Sequence, residues 1–182
     1  MKELTEKQVS RNRIYQGKVL EVVCDEVELP DGSLSHREIC LHIGAVCVIP
    51  LLDDGCVLME RQFRYAHGRV FLEIPAGKLD FADEDPREAA ARELKEETGT
   101  VARSYTYLGE IDTTPALINE KIHMYLAEDI SFGECKLDEG EFLTVERIPL
   151  SELYEMVMNG KIKDAKTQIA ILKVWQLRGN AL

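Results

Sequence analysis

The stretch 77-GKLDFADEDPREAAARELKEETG-99 decides how the rest of the chain is read. Its second half has the signals of a helix. Asp85 stands at an N-cap position, and Pro86 takes the first helical position, where a missing N–H costs nothing. Glu88 completes a capping-box pattern, and Gly99 sits where a glycine C-cap belongs. Ala90, Ala91, Leu94 and Thr98 form a stripe at helical spacing that can pack on a sheet. Glu93, Glu96 and Glu97 lie beside that stripe. Like charges three and four residues apart on a helix repel by roughly a few tenths of a kcal/mol per pair, and no lysine at a matching i+4 position offsets them.

An acidic helix is most often a solvated face. Here the carboxylates flank a packing stripe, which keeps them near the sheet. A tight Pro75-Ala76-Gly77 corner also brings a backbone carbonyl close. Carboxylate and carbonyl oxygens are the hard ligands that Mg²⁺ or Mn²⁺ prefers. Carboxylates four residues apart on one face can bridge two such ions, whose charge offsets the repulsion.

Composition narrows the classes. The chain has 182 residues, 45% hydrophobic and 30% charged, which suits one compact domain with a small extra subdomain. The net charge of −11, with no Lys/Arg cluster, speaks against a nucleic-acid partner. It also makes anionic substrates hard to bind unless metal ions or local arginines intervene. Cys24, Cys40, Cys47, Cys56 and Cys135 are odd in number and form no CxxC pair, which points to reduced thiols in a cytosol rather than disulfides or zinc. MKELTEKQVSRNR has no apolar region of a secretory signal, and no run of about 18 apolar residues is present to span a membrane.

Outward from the helix, residues 18–42 read as strand, turn and strand around Pro30–Ser33. GAVCVIPLL, 44–52, predicts a strand buried on both faces, and CVLMERQFRY, 56–65, its hairpin partner after Asp53-Asp54-Gly55. VFLEI, 70–74, is a further short strand. Strands are expected at 105–112, 122–128 and 141–147. A helix follows over Ser151–Asn159, closed by Gly160. Asp164 caps a final helix with an apolar face at Ile169, Leu172, Val174 and Trp175. Strands and helices mix without strict βα alternation, which favours α+β over a doubly wound fold, and there is no GxGxxG.

The run 77–99 resembles the Nudix box, G-x5-E-x7-R-E-U-x-E-E-x-G-U with U apolar. Arg92, Glu93, Leu94, Glu96, Glu97 and Gly99 fit in place, and Glu84 stands eight residues before Arg92. Two positions depart. Gly77 and Glu84 enclose six residues rather than five, which is read as a loop insertion that leaves the helix register untouched. Thr100 replaces the final apolar residue, with Val101 as its substitute. The resemblance extends to 61-RQFRYAHGRVFLEIPAGKLD-80, 138-DEGEFLTVERIPL-150 and 164-DAKTQIAILKVW-175, which are similar to segments of ADP-ribose pyrophosphatases.

That family resemblance implies a mixed sheet sandwiched between helices, preceded by an antiparallel N-terminal β subdomain at 1–43 that is exchanged in a homodimer; residues 44–182 form the hydrolase domain. It implies Mg²⁺-dependent hydrolysis of ADP-ribose to AMP and ribose 5-phosphate, with Mn²⁺ as a possible substitute. Carried over by position, the Ala76 carbonyl, Glu93 and Glu97 bind metal, Glu96 does so through water, and Arg92 orients the glutamates, with Glu84 as an intermediary. Glu141 is the loop glutamate, as metal ligand or general base, with Glu139 as the fallback. Arg64 reaches the substrate phosphates, Glu120 the ribose side, and Arg37 the substrate from the exchanged hairpin. For each of these the plain alternative is a surface residue. Tyr15 and His36 are candidates to clamp the base, and His123 reads as a packed strand histidine. Two other readings compete. One keeps the chemistry but takes another nucleoside diphosphate sugar, such as GDP-mannose. The other is a non-catalytic module that senses ADP-ribose, against which the retained box carboxylates speak.

Overall fold

In the computed structural model, which describes residues 4–137 and 140–179, the chain forms two compact units. The first comprises the chain up to Gly44 together with Asp112–Lys121. Its strands β1 (Lys7–Gln16), β2 (Glu21–Glu28) and β3 (Leu34–Leu41) make an antiparallel sheet in that order. The turn between β2 and β3 is the predicted one. Asp31 Oδ1 accepts from the Ser33 amide at 3.0 Å, and Gly32 takes a φ of 83°, which favours glycine. Val23, Asp25 and Val27 of β2 are buried on one face, with period two. Arg11 holds Asp25 through two bonds of 2.8 and 2.7 Å. No strand was expected before residue 18. β1 is exposed at all ten positions, so KQVSRNRIYQ carries no alternation that could announce it. The 112–121 loop joins this unit through backbone: the Cys40 amide donates to the Leu117 carbonyl at 2.7 Å, and the His42 amide to Asn119 Oδ1 at 2.7 Å.

The second unit runs over Ala45–Ile111 and from Ile122 onward. Its elements are strands β4 (Ala45–Pro50), β5 (Cys56–Arg64), β6 (Arg69–Glu73) and β7 (Ala76–Lys78), helix α1 (Pro86–Thr98), strands β8 (Thr100–Asp112), β9 (Lys121–Phe132) and β10 (Leu143–Pro149), and helices α2 (Leu150–Met158) and α3 (Ala165–Leu177). Four strands form a mixed sheet in the order β7-β4-β9-β8, with β4 antiparallel to β7 and parallel to β9. β4 is buried at every position, as its unbroken apolar run requires. Its two faces belong to two cores. Ala45, Cys47 and Ile49 cluster with Ile122, Met124, Leu126 and the buried residues of α2 and α3, including Leu153, Ile171 and Val174. Val46 and Val48 cluster with Tyr125, Ala127 and α1 residues Ala89, Ala90 and Leu94. Helices thus cover both faces of the sheet, and the architecture is α+β. Burial also holds the Cys47 thiol protonated, its pKa pushed up to about 12.

Three expectations are corrected. β5 is not paired with β4 as a hairpin strand; it lies between β10 and β6 in a separate antiparallel sheet, and the two runs meet next to the turn, through a Leu51–Val57 bridge and the Leu52 amide, which donates to the Cys56 carbonyl at 2.8 Å. The buried stripe of α1 is Ala89, Ala90, Leu94 and Glu97, not Ala90, Ala91, Leu94 and Thr98. The buried face of α3 is Thr167, Ala170, Ile171 and Val174, while Leu172 is exposed. Both helix errors come from counting apolar side chains. The helices bury a carboxylate and a hydroxyl in their place. Among the described residues no helix is long and apolar enough to cross a membrane.

Candidate active site

The caps of α1 fix which side of the helix its glutamates occupy. Asp85 accepts from the amides of Arg87 and Glu88 at 2.8 and 3.3 Å, which satisfies two donors at the N-terminus. The expected reciprocal bond of Glu88 is replaced by a pair with Arg87 at 3.2 Å. Gly99 closes the helix with φ 67°, and its amide donates to the Lys95 carbonyl at 2.9 Å. A Cβ there would lie 2.6 Å from the Cys135 amide nitrogen, so glycine is required by space as well as by conformation.

With that register, Arg92 gathers one side of the site. Its guanidinium reaches Glu84 at 3.3 Å, Glu93 at 2.8 Å, Glu96 at 3.2 Å and the Lys78 carbonyl at 3.3 Å. Glu84 also accepts from the Asp80 amide at 2.7 Å and, through Arg92, ties the loop before α1 to the helix. Burial alone would push the Glu84 carboxyl up. The Asp80 amide and Arg92 outweigh it and hold the carboxyl below its ordinary range. Glu93 approaches the chain at Gly77, where an added Cβ would stand 2.1 Å from its carboxyl carbon. Gly77 is therefore the gap through which the Glu93 carboxylate passes close to backbone.

Glu97 lies one helical turn on from Glu93, on the same face, and is 3% exposed. One oxygen accepts from the Ala76 amide at 3.0 Å. No cation is paired with it among the described contacts. Burial, then Glu60, then Glu93 drive its carboxyl strongly upward, and the Ala76 N–H only partly opposes them. Glu93 is raised as well, first by burial, although Arg92 opposes the shift. Glu141, ahead of β10, accepts from Gln62 Nε2 at 3.5 Å, and its charge acts on Glu60, Glu93 and Glu97 together. The structure thus brings Ala76, Glu93, Glu97 and Glu141 together, with Glu96 beside them through Arg92. Glu139 falls outside the described residues.

Arg64 ends β5 and holds Glu73 of β6 through two bonds of 2.9 Å. Lys166 of α3 donates to the same carboxylate at 2.5 Å and stands 3.0 Å from Asp164. Asp164 caps α3 by accepting from the Thr167 amide at 2.9 Å, and the Ile74 amide donates to Thr167 Oγ1 at 3.0 Å. This network locks the strand that leads into the Ala76 corner. Burial pushes Glu73 up, yet Arg64 and Lys166 outweigh it and keep the carboxyl low.

Arg37 and Glu120 belong to the first unit. Arg37 is held by Glu6 through bonds of 2.9 and 2.5 Å. Glu120 accepts from Thr113 at 2.9 Å and lies 3.6 Å from His42. Tyr15 is exposed, and His36 stands opposite Glu26 in the sheet register. His123 packs by Tyr107, whose hydroxyl is 3.1 Å from its Nδ1.

Sequence reading missed three participants: Glu60, Glu73 and Lys166. Glu60 carried a signal, since it interrupts the apolar run 57-VLME-60 with a charge. It is 3% exposed, and its Oε1 is buried without a hydrogen-bond partner. Burial, then Glu141 and Glu73, push its carboxyl up.

Among the described residues no three His, Cys, Asp or Glu side chains are already gathered as a metal cage. The donor set nevertheless fits a hard divalent cation. It consists of carboxylate and backbone oxygens, its buried member Glu97 has no paired cation among the described contacts, and Gly77 keeps the way to Glu93 free of a side chain.

Residues 41–169 match the NUDIX domain family. The chain is 42% identical to an ADP-ribose pyrophosphatase of Bacillus subtilis (strain 168), over 94% of this chain and 93% of that protein. It is 39% identical to a methanol dehydrogenase activator of Bacillus methanolicus, over 91% of this chain and 90% of that protein. A crystal structure of an ADP compounds hydrolase superposes with a TM-score of 0.86, covering 100% of this chain and 99% of that one at 23% identity, which establishes a shared fold.

Proposed function

The chain belongs to the Nudix family, and we propose that it hydrolyses the pyrophosphate bond of ADP-ribose, with water, to AMP and ribose 5-phosphate. The observation that carries this reading is the buried Glu97 carboxylate, without a paired cation, beside Glu93 at the Ala76-Gly77 corner. Such crowding costs stability unless positive charge arrives with the ligand. The likeness over nearly the full chain to the B. subtilis ADP-ribose pyrophosphatase supports the substrate.

The Ala76 carbonyl, Glu93 and Glu97 would hold Mg²⁺ or Mn²⁺, with Glu96 acting through water; when bound, the cation neutralises the phosphates and makes water a better nucleophile. Glu141 is assigned as the base that takes the proton of the attacking water, a role worth about 10²–10⁴ in rate. Its place ahead of β10, on a short irregular segment, supports that use. Arg92 is a positioning residue, because its guanidinium is committed to Glu84, Glu93 and Glu96. Arg64 is assigned to the substrate phosphates. Glu73 fixes its Nε and Nη2, and so presents a preset fork edge rather than a free side chain. Arg37 and Glu120 are assigned as further substrate contacts.

The site acts in a homodimer in this reading. β1 is exposed along its whole length, and Val9, Ile14 and Tyr15 are each more than half exposed, which supports cover by a second copy. The free cysteines support a cytosolic setting. The test is a panel of ADP-ribose, GDP-mannose, UDP-glucose, NADH and diadenosine polyphosphates with Mg²⁺, ranked by kcat/KM. ADP-ribose ranks first, with AMP released. GDP-mannose or another nucleotide sugar in first place would overturn the substrate. Binding of ADP-ribose without turnover of any compound would overturn the enzyme.

A further inference from the structure

Glu60 has no part in the family resemblance and none in the mechanism above, yet it is among the most deeply buried charged side chains of the second unit. It sits in β5, opposite Glu73 on β6 and Val145 on β10. Apolar residues precede it in the strand, and Val57, Leu58 and Met59 are all buried. A carboxylate at such a position costs several kcal/mol unless it is bonded and charge-compensated. Glu60 Oε1 has no hydrogen-bond partner.

The neighbouring cations do not supply the missing compensation. Arg64 gives Nε and Nη2 to Glu73, and Lys166 gives its ammonium to Glu73 and Asp164. Glu60 and Glu97 are therefore the two deeply buried carboxylates here without a cation of their own. Gln62, two residues on from Glu60 and so on the same face of β5, donates to Glu141 at 3.5 Å. Glu73, opposite Glu60, lies three residues before Ala76, whose amide bonds Glu97 at 3.0 Å. A purely structural residue here would be apolar, since replacing an uncompensated buried charge by a well-packed apolar side chain is neutral or stabilising.

We propose that Glu60 is a further carboxylate of the divalent-cation site, contributed from β5 to the group formed by Glu93, Glu97 and Glu141, an inference that rests on the reading of that site given above. Glu60 completes the oxygen donors on the strand side, either as a direct ligand or through a coordinated water. The cation in turn supplies the counter-charge that Arg64 and Lys166 cannot.

Mn²⁺ binding to the full-length protein without substrate, followed by calorimetry, tests this apart from activity. Thermal unfolding is recorded with and without Mn²⁺ alongside. Glu60→Gln keeps the shape and removes the charge. It should weaken Mn²⁺ by about 10-fold or more, and should shrink the rise in Tm that Mn²⁺ gives the wild type. Glu60→Asp keeps the charge on a shorter arm and should fall between the two. If Glu60→Gln does not fold, Glu60→Asp decides, and wild-type affinity in that variant would overturn the proposal. Mn²⁺ binding unchanged in Glu60→Gln but lost in Glu97→Gln would also overturn it, and leave the function proposed above standing. No Mn²⁺ binding by the wild type would overturn both.

Discussion

The two ends of the carboxylate group along helix α1, toward Arg92 and toward Glu97, treat the same residue type in opposite ways. On the Arg92 side, Glu84, Glu93 and Glu96 share one guanidinium, and Glu84 also takes the Asp80 amide. On the Glu97 side, a more deeply buried carboxylate has one backbone amide and feels the charges of Glu60 and Glu141. The first arrangement is complete as it stands and stabilises loop and helix. The second is incomplete and stores a need for positive charge. The difference between the two is a counter-charge, and Glu93 belongs to both, held by Arg92 at 2.8 Å and facing the corner at Gly77.

Substitutions on the two sides should therefore differ in sign. Glu97→Gln should lower kcat for ADP-ribose by about 10³-fold or more, the scale of losing a principal electrostatic contact. It should at the same time raise the Tm of the metal-free protein, because a buried uncompensated charge is gone. Gly77→Ala comes next. Its Cβ collides with the Glu93 carboxyl, which must move by more than an ångström; kcat should fall by about 10²-fold, with a small change in Tm. Arg92→Ala should act mainly on stability. It leaves Asp80, Glu84, Glu93 and Glu96 without their shared partner and should cost about 2 kcal/mol in urea unfolding. Equal stability effects of Glu97→Gln and Arg92→Ala would break the contrast between the two sides.

The smallest effect is the pH dependence of the metal-free protein. Glu97 and Glu60 are raised in the folded state above their unfolded values. The unfolded chain gives up these protons first, from about pH 4.3, so stability falls as pH rises from there through neutrality. Glu84 is shifted the other way and contributes stability above the ordinary carboxylate range that is lost on acidification. Tm against pH without divalent ions should decline toward neutral pH, and Glu60→Gln should flatten the decline. A curve that keeps rising through pH 8 in the wild type would contradict the uncompensated state of the pair.

Much of the second unit was legible because its signals are local. Asp85, Pro86 and Gly99 bound α1 by capping chemistry, and the structure uses all three. The unbroken apolar run of β4 required burial on two faces and received two cores. What escaped was set by contacts distant in sequence. β1 has no buried face to leave a pattern. The partners of β5 lie at β6 and at β10, so a hairpin with β4 looked natural from adjacency alone. Glu60 read as one charge in a strand, and only the fold reveals that Glu73, Glu97 and Glu141 surround it while Lys166 is already committed. The clearance between Gly77 and Glu93 is likewise invisible until strand and helix are packed.

The most direct test is AMP release from ADP-ribose by the wild type and by a folded Glu97→Gln variant, each with and without Mg²⁺. The wild type should release AMP only with Mg²⁺, and Glu97→Gln should release almost none while unfolding at an equal or higher Tm. Full activity in Glu97→Gln, or equal activity of the wild type without a divalent cation, would contradict the assignment of the uncompensated carboxylates to the reaction.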